Sequence, residues 1–536
     1  MVDKVKQFFV LWRLLEKLNG CVAQAFGRNA ARATGSEALM SIQTVEAPTG
    51  TARREGAVSP WLVLVLVGLA QFMVVLDATV VNVALPSIQR ALHFSTSDLQ
   101  WVVNGYTLAF GGFLLLGGRA ADLFGRRRLF LIGLALFSAA SLLNGLAGSA
   151  AVLVAGRALQ GLGGALVAPA SLSIITTSFA EGAERTRALG VWSAIAVGGG
   201  AIGLLLGGVL TQLASWQWVF FVNVPVGAAA FLLSLRLVPE SRGGRARGID
   251  VGGAIAITAG LLVLVYAIVN AQSAGWVSAQ TIGLGSLAVL LIASFVLIES
   301  RHRSPLIRLS ILRQRSLAGA DLVMLLVAAG MFAMFFFASL YVQNVLGYSP
   351  LRAGLAFLPV TACIIAGAGL SQQLIKRAGV RVVAAIGMAL AAIGLVVLSG
   401  IPVHGTYVAN LLPGLLTMAL GMGLTFVPIT LIATTNVDAE DAGLASGLLN
   451  TAQMVGGALG LAILATLAAD RTTTALVALG RAPLAADRVS ALVSGFQLAF
   501  LVAAFLIGSG VLVLGVLVRR RHVELIDTSV SPALAA

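Results

Sequence analysis

Two ionisable residues stand inside long apolar runs. Asp77 lies in Leu76-Asp77-Ala78-Thr79-Val80-Val81-Asn82-Val83-Ala84-Leu85-Pro86, and the run 61–83 holds no other charge. Arg157 opens Arg157-Ala158-Leu159-Gln160-Gly161-Leu162-Gly163-Gly164, within a second run, 151–174. A charge at the centre of a bilayer costs about 2.5–3.5 kcal/mol on insertion scales, so one that is kept there has a use. A carboxylate can take up a proton or hold a cation; a guanidinium beside it lowers the cost of both charges. At 1.5 Å per residue Arg157 lies about 9 Å below the end of its span, and Asp77 lies at a similar depth in the first. We therefore expect the two to face a central cavity and approach each other. Burial disfavours an ionised carboxylate and a nearby guanidinium favours it. A group balanced between the two can carry a proton, with Arg157 tuning it and a cationic substrate competing for it.

Asp321 is a second acid within an apolar run, near its end. Asn82, Tyr106, Trp192, Gln343 and Asn450 are candidate substrate-binding residues, with Phe335, Phe336 and Gln453 beside them, because aromatic and amide groups suit large apolar ligands with a few polar atoms. His93, His302, His404 and His522 show no metal-ligand spacing, so no metal is expected. No Gly-x4-Gly-Lys-Ser/Thr phosphate loop is present, which argues against ATP as the energy source, and no cofactor is expected. No nucleophile or paired-carboxylate site supports an enzyme.

The elements that position these residues follow from composition. The chain has 536 residues, 58% hydrophobic and 10% charged, against about 25% charged for soluble domains. The apolar runs are about 20 residues long and lack period-2 alternation, which points to helices spanning a membrane rather than a barrel. Fourteen spans are expected: 61–83, 99–118, 129–148, 151–174, 189–210, 219–237, 252–269, 282–298, 317–342, 353–374, 382–398, 411–432, 444–467 and 492–518. The longest loop on the outer side is expected at 470–488. With the N-terminus taken as cytoplasmic, 29 of the 35 Lys and Arg fall on that side, five on the other, and Arg157 within a span. This is the positive-inside bias, and it places both termini in the cytoplasm. The net charge of +14 therefore reads as membrane anchoring and not as nucleic-acid binding. Cys21 and Cys363 do not suggest a disulfide framework.

The organisation expected is a cytoplasmic segment 1–59, a bundle 60–237, a linker with two further spans 238–316, a second bundle 317–518 and a tail 519–536. In the first segment Phe8, Phe9, Trp12, Leu15 and Leu18 would line one face of an amphipathic helix. Part of that segment is expected to be a start-site artefact, with Met40 as the true start. Residues 238–250 read as a flexible basic linker.

The loop Gly118-Arg119-Ala120-Ala121-Asp122-Leu123-Phe124-Gly125-Arg126-Arg127-Arg128 is expected to be two short helices meeting at glycines, with Asp122 capping a helix start. It resembles the cytoplasmic signature of the major facilitator superfamily, with Ala120 where leucine is usual. The blocks 76–86, 157–164, Trp216-Gln217-Trp218-Val219-Phe220-Phe221-Val222-Asn223-Val224-Pro225, 347–350 and 442–450 resemble the 14-spanning drug:proton antiporter branch. The fifth span, with Gly198, Gly199, Gly200, Gly203, Gly207 and Gly208, is similar to that branch's antiporter motif, except that Leu204 stands where proline is expected.

The resemblance implies an all-α polytopic membrane protein of the major facilitator fold, two six-helix bundles plus two extra central helices. It implies a proton-coupled efflux transporter of lipophilic or cationic drugs in a bacterial cytoplasmic membrane, or a dedicated exporter of one metabolite or self-made antibiotic. The chemistry of the two buried charges assigns proton coupling to Asp77 and Arg157, and gating is expected of Gly118, Asp122, Gly125, Arg126, Gly203 and Gly207. Protons, a small-molecule substrate and membrane lipids are the partners implied, nucleic acid is not, and a monomer is expected. Gly369 and Gly379 are a degenerate second-half copy of Gly118 and Gly125.

Overall fold

The computed structural model describes residues 59–95, 97–179, 182–241, 250–302, 305–307, 310–434, 437 and 442–518. The amphipathic N-terminal helix, the start at Met40, most of the basic linker and the tail lie outside these residues.

Six helices come first: α1 (Pro60–Leu92), α2 (Trp101–Phe124), α3 (Arg126–Gly145), α4 (Ala150–Ser178), α5 (Ala183–Leu213) and α6 (Trp218–Leu237), the last interrupted at Val222. A hairpin of α7 (Val251–Ala274) and α8 (Ala279–Arg301) follows. Six more complete the chain: α9 (Arg315–Leu340), α10 (Pro350–Ala378), α11 (Val380–Leu398), α12 (Tyr407–Thr434), α13 (Ala442–Val477) and α14 (Ala485–Leu517). Thirteen of the fourteen are long and apolar enough to cross a membrane by length and composition, and α5 takes the remaining place with its apolar stretch Gly198–Leu213. No strand occurs among the described residues. The protein is an all-α polytopic membrane protein.

Local chemistry sets the helix ends. The Ser149 hydroxyl accepts from the Val152 N–H at the start of α4, and the Asp250 carboxylate accepts from the Gly253 N–H at 2.6 Å at the start of α7. Ser349-Pro350 starts α10 with a serine cap and a proline in the first turn. Gly125 at φ 109° and Gly379 at φ 82° join α2 to α3 and α10 to α11 in single-residue reversals that a side chain would strain. The expected correspondence of these two glycines is thus a geometric one.

Three expectations are corrected. Gly118 lies inside α2, which runs unbroken to Phe124, so there is one reversal at this turn and not two short helices. Asp122 sits in the last turn of α2 and does not cap a helix start. The outer loop expected at 470–488 is short, because α13 continues to Val477. Thr472, Thr473 and Thr474 return hydrogen bonds of 2.7–3.0 Å to the carbonyls four residues back, and the first glycine comes only at Gly480.

The bundles touch at the end opposite the arginine-rich α2–α3 turn. There the Ser339 hydroxyl donates to the Asn82 carbonyl at 2.7 Å, and Gln343 Nε2 donates to the Val83 carbonyl at 2.9 Å. The Leu351 N–H donates to Gln212 Oε1 at 3.0 Å, and a Cβ on Gly354 would come within 2.7 Å of the Leu204 carbonyl oxygen. Further along, the Thr451 hydroxyl of α13 donates to the Gly111 carbonyl of α2 at 3.4 Å. The hairpin lies over this α2–α13 seam, where Leu261, Val265 and Val269 of α7 pack with Leu108 of α2 and with Ala458 and Ala462 of α13.

Candidate functional site

Four helices of the first bundle converge on Asp77. Its Oδ2 accepts from Arg157 Nη1 at 2.5 Å, and its Oδ1 accepts from Gln160 Nε2 at 2.7 Å and Asn223 Nδ2 at 2.9 Å. Arg157 Nη1 also donates to Gln160 Oε1 at 2.8 Å, and Arg157 Nε donates to the Val102 carbonyl at 2.8 Å. Gln160 accepts from Asn144 Nδ2 at 2.8 Å and donates to the Ser141 hydroxyl at 2.7 Å. The guanidinium carbon lies 4.4 Å from the centre of the Tyr106 ring and 5.8 Å from that of Phe220. Thus α1 supplies the acid, α4 the base and one amide, α6 another amide, and α3 the supports.

Burial decides what this arrangement can do. Asp77 is 0% exposed and Arg157 1%, and Gln160, Asn144 and Ser141 have no exposure. The expectation that the pair faces the cavity is corrected: it is enclosed within one bundle, because amides from α3, α4 and α6 close around it. Pairing and four polar neighbours offset the desolvation of two charges. Adding a proton to Asp77 would leave Arg157 as an uncompensated buried cation.

The glycines of α5 back this site. Gly203 lies against Thr79 and the Leu76 carbonyl, Gly207 against the Val80 carbonyl, and Gly199 against Phe72, so α5 packs tightly on α1 along the turns that carry Asp77. Gly208 faces the other way, onto Pro350 and Leu351 of the second bundle. One stripe of small residues therefore touches the acid's helix on one side and the bundle interface on the other.

At the arginine-rich end, Arg126 Nη2 meets Asp122 Oδ1 at 3.2 Å. The turn is fastened to the end of α6: the Arg127 N–H donates to Glu240 Oε1 at 3.3 Å, Arg128 Nε lies 3.8 Å from Glu240 Oε2, and the Arg126 N–H donates to the Ser241 carbonyl at 3.0 Å. Arg127 Nη2 also donates to the Leu235 carbonyl. A Cβ added at Gly118 would lie 3.5 Å from Pro169 of α4.

The substrate-binding candidates scatter. Tyr106 is buried and forms a wall of the Arg157 pocket, with its hydroxyl 3.4 Å from the Val74 carbonyl. Asn82 turns its amide back onto the carbonyls of Ala78 and Thr79. Gln343 spans the bundle interface. Trp192 packs on the first bundle's core, with its indole nitrogen buried and unpaired. Asn450 is exposed and bonds to the Ser446 carbonyl. Gln453 is half-buried. Phe335 stacks near Phe357 at 5.9 Å, while Phe336 is buried in the second bundle and does not line a cavity. Asp321 is in the second bundle, apart from Asp77, and its Oδ1 is buried without a hydrogen-bond partner.

Sequence reasoning did not assign Gln160, Asn144, Ser141 or Asn223 to the site. Gln160 stands three residues after Arg157, on the same helix face, and Asn223 is the lone amide in an otherwise apolar stretch; both were available signals. Among the described residues no group of three or more His, Cys, Asp or Glu is placed to hold a metal ion.

The family model described as Major Facilitator Superfamily matches residues 67–461. The chain is 42% identical to the puromycin resistance protein pur8 of Streptomyces alboniger, over 84% of this chain and 88% of that one. It is 41% identical to the cephamycin export protein CmcT of Amycolatopsis lactamdurans, over 80% and 89%. It is 38% identical to the multidrug resistance protein Stp of Mycobacterium tuberculosis, over 76% of each. Among solved structures, a bacterial homologue of the human lysosomal transporter Spinster, inward-facing and unoccupied, superposes with a TM-score of 0.62 at 17% identity, over 85% of this chain and 96% of that one.

Proposed function

The chain belongs to the Major Facilitator Superfamily, in its drug-efflux branch, and from that premise we propose that it is a proton-coupled antiporter that exports lipophilic or cationic drugs by alternating access. It is a transporter and not an enzyme. The observation that carries the proton coupling is Asp77, with no exposure, held at 2.5 Å by Arg157 and by two amides from different helices.

The arginine distribution supports an orientation with both termini in the cytoplasm of a bacterial cell. In that orientation the contacts of Ser339, Gln343 and Gly354 lie on the outer side, and alternating access requires the inner side to open. Cargo, lipophilic or cationic, then enters from the cytoplasm or the inner leaflet. Proton binding at Asp77 weakens its hold on α4 and α6 and favours one of the two bundle arrangements. A cation does not compete with the proton directly, because the carboxylate is sealed in this state; coupling runs through helix packing. Asp122, Arg126 and Gly125 stiffen the inner turn, and Gly203 and Gly207 let α5 slide closely on α1. No cofactor enters the cycle, and a single chain suffices for it.

The test is Asp77→Asn in proteoliposomes with an imposed pH gradient. The variant is expected to bind cargo, keep its fold, and lose gradient-driven transport to the level of empty vesicles. Full activity in the variant would sink the role.

A second reading is a dedicated exporter of one antibiotic. The puromycin resistance and cephamycin export proteins among its relatives favour it, and the multidrug resistance protein favours breadth. A panel of structurally unrelated cargoes separates the two: transport of one class only selects the dedicated exporter.

A further inference from the structure

A recess of about 1150 Å³ lies at the arginine-poor end, over the seam of α2 and α13, and is closed on its third side by the end of α7 and the turn into α8. Its walls carry two carboxylates, Asp98 and Asp470, and three aromatic rings, Trp101, Tyr266 and Trp276, with no Lys or Arg among the lining residues. We infer that this recess is a second binding site, for an organic cation with aromatic or other apolar bulk, on the release side of the transporter. That it receives cargo leaving the cell rests on the reading above; that it binds such a cation does not.

The chemistry is consistent across the site. Asp470 Oδ2 accepts from the Trp276 indole N–H at 3.3 Å, and Asp98 Oδ2 accepts from the Ser95 hydroxyl at 2.6 Å. Among the described residues no hydrogen bond reaches the other oxygen of either carboxylate. The rings of Trp101 and Tyr266 lie 6.4 Å apart at 45°, and Tyr266 and Trp276 are each about half exposed, so aromatic faces are open to a ligand. Cations are attracted to such faces, most strongly to tryptophan. The C-terminal ends of α7 and α13 also border the recess, and helix C-termini carry partial negative charge. Asn270 Nδ2 is buried at the wall without a partner and offers a donor to an acceptor group on the same molecule. Arg471, next to Asp470, is exposed and does not line the recess.

Position fits release. At 36 residues, α13 is about 54 Å long, against about 30 Å of hydrocarbon, so its last turns, with Asp470, Thr473 and Thr474, stand beyond the apolar layer. The recess thus meets water, and its walls come from both bundles and the hairpin.

The experiment uses the full chain labelled with 5-fluorotryptophan, with the 19F resonances of Trp101 and Trp276 assigned through Trp101→Phe and Trp276→Phe. Tetraphenylphosphonium is titrated in. Both resonances are expected to shift with saturation, and Asp98→Asn/Asp470→Asn is expected to weaken the apparent affinity roughly tenfold. Glu184→Gln, which removes an exposed carboxylate at the start of α5, is expected to leave the titration unchanged, and equal thermal melting of all variants checks the fold. Absence of a shift at Trp276, or an unchanged affinity in the double variant, overturns the site. In proteoliposomes, tetraphenylphosphonium added on the outer face should inhibit efflux about tenfold less well in the double variant. Wild-type protein that shows the resonance shifts but no efflux would remove the antiporter reading and leave the site standing.

Discussion

The two bundles share a plan and are filled with opposite materials. The middle of the first holds Asp77, Arg157, Gln160, Asn223, Asn144 and Ser141 in one hydrogen-bonded cluster. The middle of the second holds aromatic rings: Phe337 lies 5.3 Å from Phe336, 5.4 Å from Phe496 and 6.1 Å from Phe500. Apolar packing loses stability in proportion to what is removed. A buried polar cluster depends on every member, since each lost partner strands another. On the proposed reading, the difference teaches where a proton would act: in the first bundle one added charge meets a cluster built from four helices, and among the described residues of the second bundle no such cluster surrounds an acid. Asp321, the second bundle's acid within α9, has no guanidinium bonded to it.

The sharpest break in this comparison is Arg157→Ala. It leaves a buried carboxylate unpaired and is expected to cost about 3–5 kcal/mol, read as a loss of thermal stability together with loss of coupled transport. The double replacement Asp77→Leu/Arg157→Met should restore most of the stability and none of the coupling; recovered coupling would show that the pair is only scaffolding. Phe337→Ala should cost a similar 3–5 kcal/mol, yet leave the ratio of protons moved to cargo moved as in the parent. If that ratio changes, the second bundle is not passive.

Smaller effects sharpen the contrast. Asn223→Ala removes one of the amides on Asp77 and should cost about 1–3 kcal/mol, with a displaced pH profile of efflux. Gln343→Ala loses the bond to the Val83 carbonyl, worth about 0.5–1.5 kcal/mol; labelling of a cysteine placed at the outer end of α1 should show that side opening more often. Asp321→Asn removes a carboxylate whose buried Oδ1 has no partner, so it is expected to keep or raise thermal stability and retain transport; loss of transport would give the second bundle a titrating group of its own.

The charges were legible in the sequence because their cost in lipid makes them stand out. Their partners were not, because a neutral amide in a membrane helix is cheap enough to be ordinary, and only the fold shows that Gln160 and Asn223 aim at one carboxylate. The same limit explains Gln343, read as a ligand contact and found sealing the bundles. Spans were legible from apolar length, but their ends were not wherever polar residues continue a helix, as at Thr472–Thr474 in α13. Gly118 and Gly125 look alike in the sequence; only Gly125, at φ 109°, turns the chain, and Gly118 lies within the helix.

The placement of α7 and α8 has one more consequence. Laid along the α2–α13 seam and absent from the α5–α10 seam, the hairpin gives the molecule two unlike flanks. A greasy molecule wandering in the plane of the bilayer meets a wall from one side and a bare joint between bundles from the other. If cargo enters from the bilayer, as proposed, its traffic acquires a handedness fixed by the order of helices in the chain.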